Sequence, residues 1–126
     1  MKKIMVLSML LWGFSAFGAS CVVEAERAKD QGRLDDAIAK STECLKKKGL
    51  YRSKNLKADS YLNRGQAYLA QGKYDLAISD FTEAIKLRPK WSGLYNVRGL
   101  AYLSKGLYDL AIHDFTDSIE QDPTNE

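Results

Sequence analysis

The chain repeats itself, and this limits its architecture more than any other property. Residues 58–91 read ADSYLNRGQAYLAQGKYDLAISDFTEAIKLRPKW and residues 92–125 read SGLYNVRGLAYLSKGLYDLAIHDFTDSIEQDPTN. Laid together without a gap, 17 of the 34 positions are identical. A period of roughly 20–50 residues is the mark of a solenoid or array, in which each unit covers the apolar face of its neighbour.

Each copy holds two helical segments. The first runs from about Tyr61 to Ala70 and ends at Gly72, and the second from about Tyr74 to Leu87, ahead of Pro89. In the second, Tyr74, Ala77, Ile78, Phe81, Ala84, Ile85 and Arg88 follow helical spacing, so one face is apolar apart from its last residue. Asp75 and Asp109 lie in first turns, where the helix dipole favours negative charge. Pro89 and Pro123 cannot continue a helix. The repeating unit is a helical hairpin, and the predicted fold class is all-α.

The pattern resembles the tetratricopeptide repeat, a helix–turn–helix unit of about 34 residues. Tyr61, Gly65, Tyr68, Ala77, Phe81 and Pro89 carry the resemblance in one copy, and Tyr95, Gly99, Tyr102, Ala111, Phe115 and Pro123 in the next. Tyr stands where that family has Trp, Arg64 and Arg98 where Leu is usual, and Ser118 where Ala is common. Small residues at 65, 77, 99 and 111 let the helices approach, and large ones at 68, 81, 102 and 115 fill the space. A degenerate copy spans about 18–51. Its stretch GRLDDAIAKSTECL (Gly32 to Leu45) keeps Gly32, Asp35, Ala37, Ile38, Thr42 and Glu43, and its first helix is expected from Cys21 to Gln31. The resemblance implies a right-handed stack of three helical hairpins over residues 21–126, the first degenerate. Three is about the minimum for such a stack.

Residues 1–20 read as a secretory leader: Lys2 and Lys3, fourteen uncharged residues from Ile4 to Phe17, then Gly18, Ala19 and Ser20. Cleavage after Gly18 or after Ser20 satisfies the small-residue rule, and an uncleaved anchor is the rival reading. A spanning helix needs about 20 apolar residues, more than this run supplies. Export to the periplasm or exterior of a bacterium is therefore expected, with only transient membrane contact unless Cys21 is lipidated. Without the leader the chain has 17 basic and 16 acidic residues, which argues against nucleic acid as a partner.

In the repeat register Cys21 falls early in a first helix and Cys44 late in a second. An antiparallel hairpin sets those places opposite one another. A disulfide there would suit an oxidising compartment and would staple a hairpin whose large residues are lost, Ala28 standing in the place of Tyr68 and Ser41 in that of Phe81. Lipidation of Cys21 and a pair of buried thiols remain open. A lipoprotein motif usually has Leu three residues before the cysteine, and here that place is Gly18.

Catalytic and cofactor-binding patterns are absent from the sequence: no phosphate-binding glycine loop, zinc-protease or nucleophile-elbow motif occurs. The single histidine, His113, reads as a surface residue without convergent ligands. A protein that is not an enzyme and holds no cofactor is expected. The resemblance implies an adaptor that binds a protein or peptide along the surface of its first helices. The inward candidates are Asp59, Leu62, Asn63, Gln66 and Leu69, then Asn96, Val97, Leu100 and Leu103. Leu62 and Gln66 occupy positions where some members clamp a C-terminal carboxylate with Lys and Asn, so an apolar segment is the expected ligand. These side chains could instead only pack between hairpins. The alternative role is that of a structural or self-associating subunit of an envelope assembly. The stretch 46–57 has six basic residues and no acid, whereas six acids and no Lys or Arg follow Lys105. An uncapped last hairpin with that charge is a candidate surface for self-association.

Overall fold

The computed structural model describes residues 13–48 and 53–122, with side chains from Ser20 onward. Residues 1–12, with the charged start and most of the apolar run of the leader, lie outside the described residues, as do residues 49–52 and 123–126, Pro123 among them. Six helices make up the described chain: α1 (Gly13–Asp30), α2 (Leu34–Lys46), α3 (Lys54–Ala70), α4 (Tyr74–Leu87), α5 (Ser92–Ser104) and α6 (Tyr108–Gln121). They pair as three antiparallel hairpins, α1–α2, α3–α4 and α5–α6, stacked in chain order. The fold is an all-α solenoid.

One turn closes all three hairpins. Gly32, Gly72 and Gly106 have φ of 74°, 74° and 81°, the left-handed conformation that favours glycine. Beside each, two backbone bonds cap the preceding helix, as in Gly72 N–H to Leu69 O (3.0 Å) and Lys73 N–H to Tyr68 O (2.9 Å). The degenerate hairpin has the same bonds, from Gly32 to Lys29 and from Arg33 to Ala28. Its register is thus that of the others.

Two helices begin earlier than the periodicity predicts. The first, α3, starts at Lys54 because the Ser53 hydroxyl accepts a bond from the Leu56 N–H (3.3 Å) and nothing from 54 to 60 breaks a helix. The second, α1, starts at Gly13, upstream of the expected Cys21. Helix α4 covers Tyr74–Leu87, the predicted span.

Close helix crossings set the core. At Gly65 a Cβ would lie 2.6 Å from Phe81 Cε1, and at Gly99 one would lie 2.8 Å from Phe115 Cε1. In the first hairpin the equivalent places hold Ala25 and Ser41, both fully buried. Apolar contacts then bridge hairpins: Ala77 and Phe81 of α4 pack on Ala101 of α5, and Ala84 packs on Leu94. Cys21 and Cys44 are bonded to each other, with Cα atoms 5.9 Å apart, and with Val22 and Leu56 they close the N-terminal end.

The arginines in the place of the usual leucine build a buried polar network. Arg64 donates to both Asp80 oxygens (2.9 and 2.7 Å) and, across the hairpin boundary, to Thr42 Oγ1 (3.2 Å). One repeat later, Arg98 does the same to Asp114 (both 2.8 Å) and Thr82 (3.2 Å). The carboxylates hold both guanidinium pKa values above the ordinary range through these hydrogen bonds. In the first hairpin the signs are reversed and the pair is exposed: Lys40 Nζ lies 3.2 Å from Glu24 Oε2, and Lys40 keeps the Glu24 carboxyl below its usual range.

Candidate peptide-binding face

The first helices touch one another along the stack, α1 against α3 and α3 against α5, while the second helices do not pair to a comparable extent. The ribbon therefore bends with α1, α3 and α5 on its inner side. Between α1 and α3, below the start of α5, lies a hollow of about 250 Å³ lined by Val22, Glu26, Asp59, Leu62, Asn63 and Trp91. Trp91 is positioned by Arg88, whose guanidinium sits 4.3 Å from the ring centre. Burial pushes the Asp59 carboxyl above its usual range; nearby Arg88 opposes this and Glu26 adds to it.

The nine residues read from the sequence divide into two groups. Asn63 is buried, and its Oδ1 accepts from Lys29 Nζ (3.1 Å), which also donates to Gln66 Oε1 (2.6 Å). These amides tie α3 to α1. Leu62 is shared between two core clusters, and Leu69 and Val97 pack on the cluster around Phe81. Asp59 lines the hollow, and Asn96, Leu100 and Leu103 are exposed, the two leucines at 41 % and 45 %. Leu100 and Leu103 thus stand open on α5, and the hollow, at the start of that helix, has acidic walls.

Sequence reasoning missed Lys29, Glu26, Trp91 and the Arg–Asp pairs. For the pairs a clue existed: arginine and aspartate recur at matching places in both clear copies. Lys29 carries no such mark, since only the stacking of α1 on α3 brings it to the amides. His113 is exposed, its Nδ1 3.2 Å from Asp117 Oδ2. With Asp114 these form a potential metal-ligand cluster, but Asp114 already gives both oxygens to Arg98.

Two sequence profiles, each described as a tetratricopeptide repeat, match residues 58–90 and 92–125, together more than half of the chain. The chain belongs to the tetratricopeptide-repeat family. No curated protein matches it. Among solved structures it is similar to the Arabidopsis OM64 TPR domain, with 26 % identity, 86 % of this chain and 85 % of that one covered, and a TM-score of 0.77. The second TPR of Spaghetti (RPAP3), bound to HSP90 peptide SRMEEVD, is 27 % identical over 83 % of this chain and 92 % of its own, with a TM-score of 0.74. MamA shares the fold at 24 % identity and a TM-score of 0.74, with 85 % of this chain and 59 % of MamA covered. Tetratricopeptide repeats of this kind form a protein–protein interaction module.

Proposed function

We propose that this tetratricopeptide-repeat chain is a non-enzymatic adaptor that seats a peptide or protein segment on the inner face of α1, α3 and α5. Two observations support the reading: the hollow at Val22, Asp59, Leu62 and Trp91, and the exposed Leu100 and Leu103 further along α5. The peptide bound by the RPAP3 repeat ends in acidic residues. Here Glu26 and Asp59 line the hollow, so an acidic tail would meet like charge. An apolar segment lying along Leu62, Leu100 and Leu103 suits the surface better.

The chain acts outside the cytoplasm in this reading. The leader-like first 20 residues and the bond between Cys21 and Cys44 together favour an oxidising compartment. Mass spectrometry of the secreted form tests this: a chain beginning at Ala19 or Cys21 that gains two hydrogens on reduction is expected, and a lipid-sized addition on Cys21 refutes it.

Leu100→Glu with Leu103→Glu tests the face, because both side chains are exposed and their loss leaves the core intact. Affinity capture from envelope extract should recover fewer partners with the double variant than with the native chain, at unchanged helicity. Equal recovery refutes the inner-face reading.

A further inference from the structure

The stack is uneven at its C-terminal end. On α4, Ile78 and Ile85 pack in clusters shared with α5, Thr82 accepts from Arg98 of α5, and Tyr74 is half-buried. The equivalent residues on α6 are Tyr108, Ile112, Thr116 and Ile119. Among the described residues nothing covers them, and Tyr108, Ile112 and Ile119 are 63 %, 63 % and 57 % exposed. Thr116 is set as its counterpart is: both hydroxyls donate to the carbonyl four residues back, Thr82 to Ile78 and Thr116 to Ile112, each at 2.8 Å. Thr82 also accepts Arg98 from the covering helix, just as Thr42 accepts Arg64. Among the described residues no arginine reaches Thr116.

We propose that α6 is the seat for an amphipathic helix of another protein, one that carries an arginine among small and apolar residues. The two inner seats specify this occupant. The helix lying on α4 presents Leu94, Val97 and Ala101 to the apolar face and Arg98 to the threonine. Charge points the same way: Asp109 and Glu120 are exposed on α6 and no Lys or Arg follows Lys105, so a basic group is drawn to this end. A second copy fits poorly. Two α6 faces would oppose acid to acid, and the first hairpin of another copy offers Glu24, paired with Lys40, where the arginine should be.

A labelled peptide of residues 91–105 serves as the probe, held helical by a staple joining the places of Asn96 and Leu100, which face away from the seat. The staple offsets the cost of helix nucleation. Fluorescence anisotropy against the full chain should show binding that weakens with salt. Ile112→Glu with Ile119→Glu should abolish it without loss of helicity, since both side chains are in solvent. A probe with Ala in place of Arg98 should bind about tenfold more weakly, the worth of one charge-assisted hydrogen bond. The proposal is overturned by no binding at millimolar probe, by binding that the Ile112/Ile119 variant keeps, or by an Ala probe that binds equally well. It is also overturned by sedimentation showing a dimer that the same variant dissolves, which would give the face to a second copy.

Discussion

Replacing Arg98 with Leu, the residue usual at that place in the family, should destabilise the fold severely. The cause lies in what the change leaves behind. The Asp114 side chain is 2 % exposed and the Arg98 side chain 18 %, and both Asp114 oxygens accept from the guanidinium. Removing the cation strands a charge away from water, which costs about 3–5 kcal/mol. Losing the bond to Thr82 adds little, because that hydroxyl keeps its own partner at Ile78. For a domain of this size the melting temperature should fall by on the order of 10 °C. Replacing both partners, Arg98→Leu with Asp114→Leu, removes the stranded charge and should return stability to within about 1 kcal/mol of the native chain. The coupling from a double-mutant cycle, read by urea titration of helicity, should then exceed about 2 kcal/mol. The sign-reversed pair in the first hairpin is the control. Glu24 and Lys40 are 53 % and 39 % exposed, so Glu24→Ala should leave the melting temperature nearly unchanged. Equal losses from Glu24→Ala and Arg98→Leu would refute burial as the cause, and so would a double variant as unstable as the single one.

Three further outcomes follow from the same geometry. Cys44→Ala opens a loop with a sequence separation of 23 residues and should cost about 3 kcal/mol in the chain-entropy model, lowering the melting temperature under non-reducing conditions only. Gly65→Ala would set a Cβ 2.6 Å from Phe81 Cε1; about 1–3 kcal/mol should be lost to overpacking, and Phe81→Leu in the same chain should restore part of it. Burial raises the Asp59 pKa, so the folded state holds its proton more tightly than the unfolded one. That contribution is fully present below the unfolded pKa and is lost as pH rises through the folded value. Asp59→Asn should therefore raise the melting temperature at neutral pH, with a gain that vanishes in acid; a gain independent of pH would contradict the assignment.

The sequence by itself determined the repeating unit. Identity at 17 of 34 positions, helical spacing on one face and a glycine at each turn are local properties, and local rules of helix formation and termination decode them. It also set Cys21 opposite Cys44, because antiparallel register follows from hairpin length. The bounds of α3 and the sorting of the inner-face candidates were not legible in it. Ser53 starts a helix only because its side chain reaches the Leu56 amide, and Asn63 and Gln66 are withdrawn from the surface only because α1 brings Lys29 to them. The clear copies look alike in sequence, yet Ile78 and Ile85 are partly covered while Ile112 and Ile119 stand in solvent. The residues are the same and the neighbours are not. A repeat records what each helix could bury, and only the stack decides what is covered.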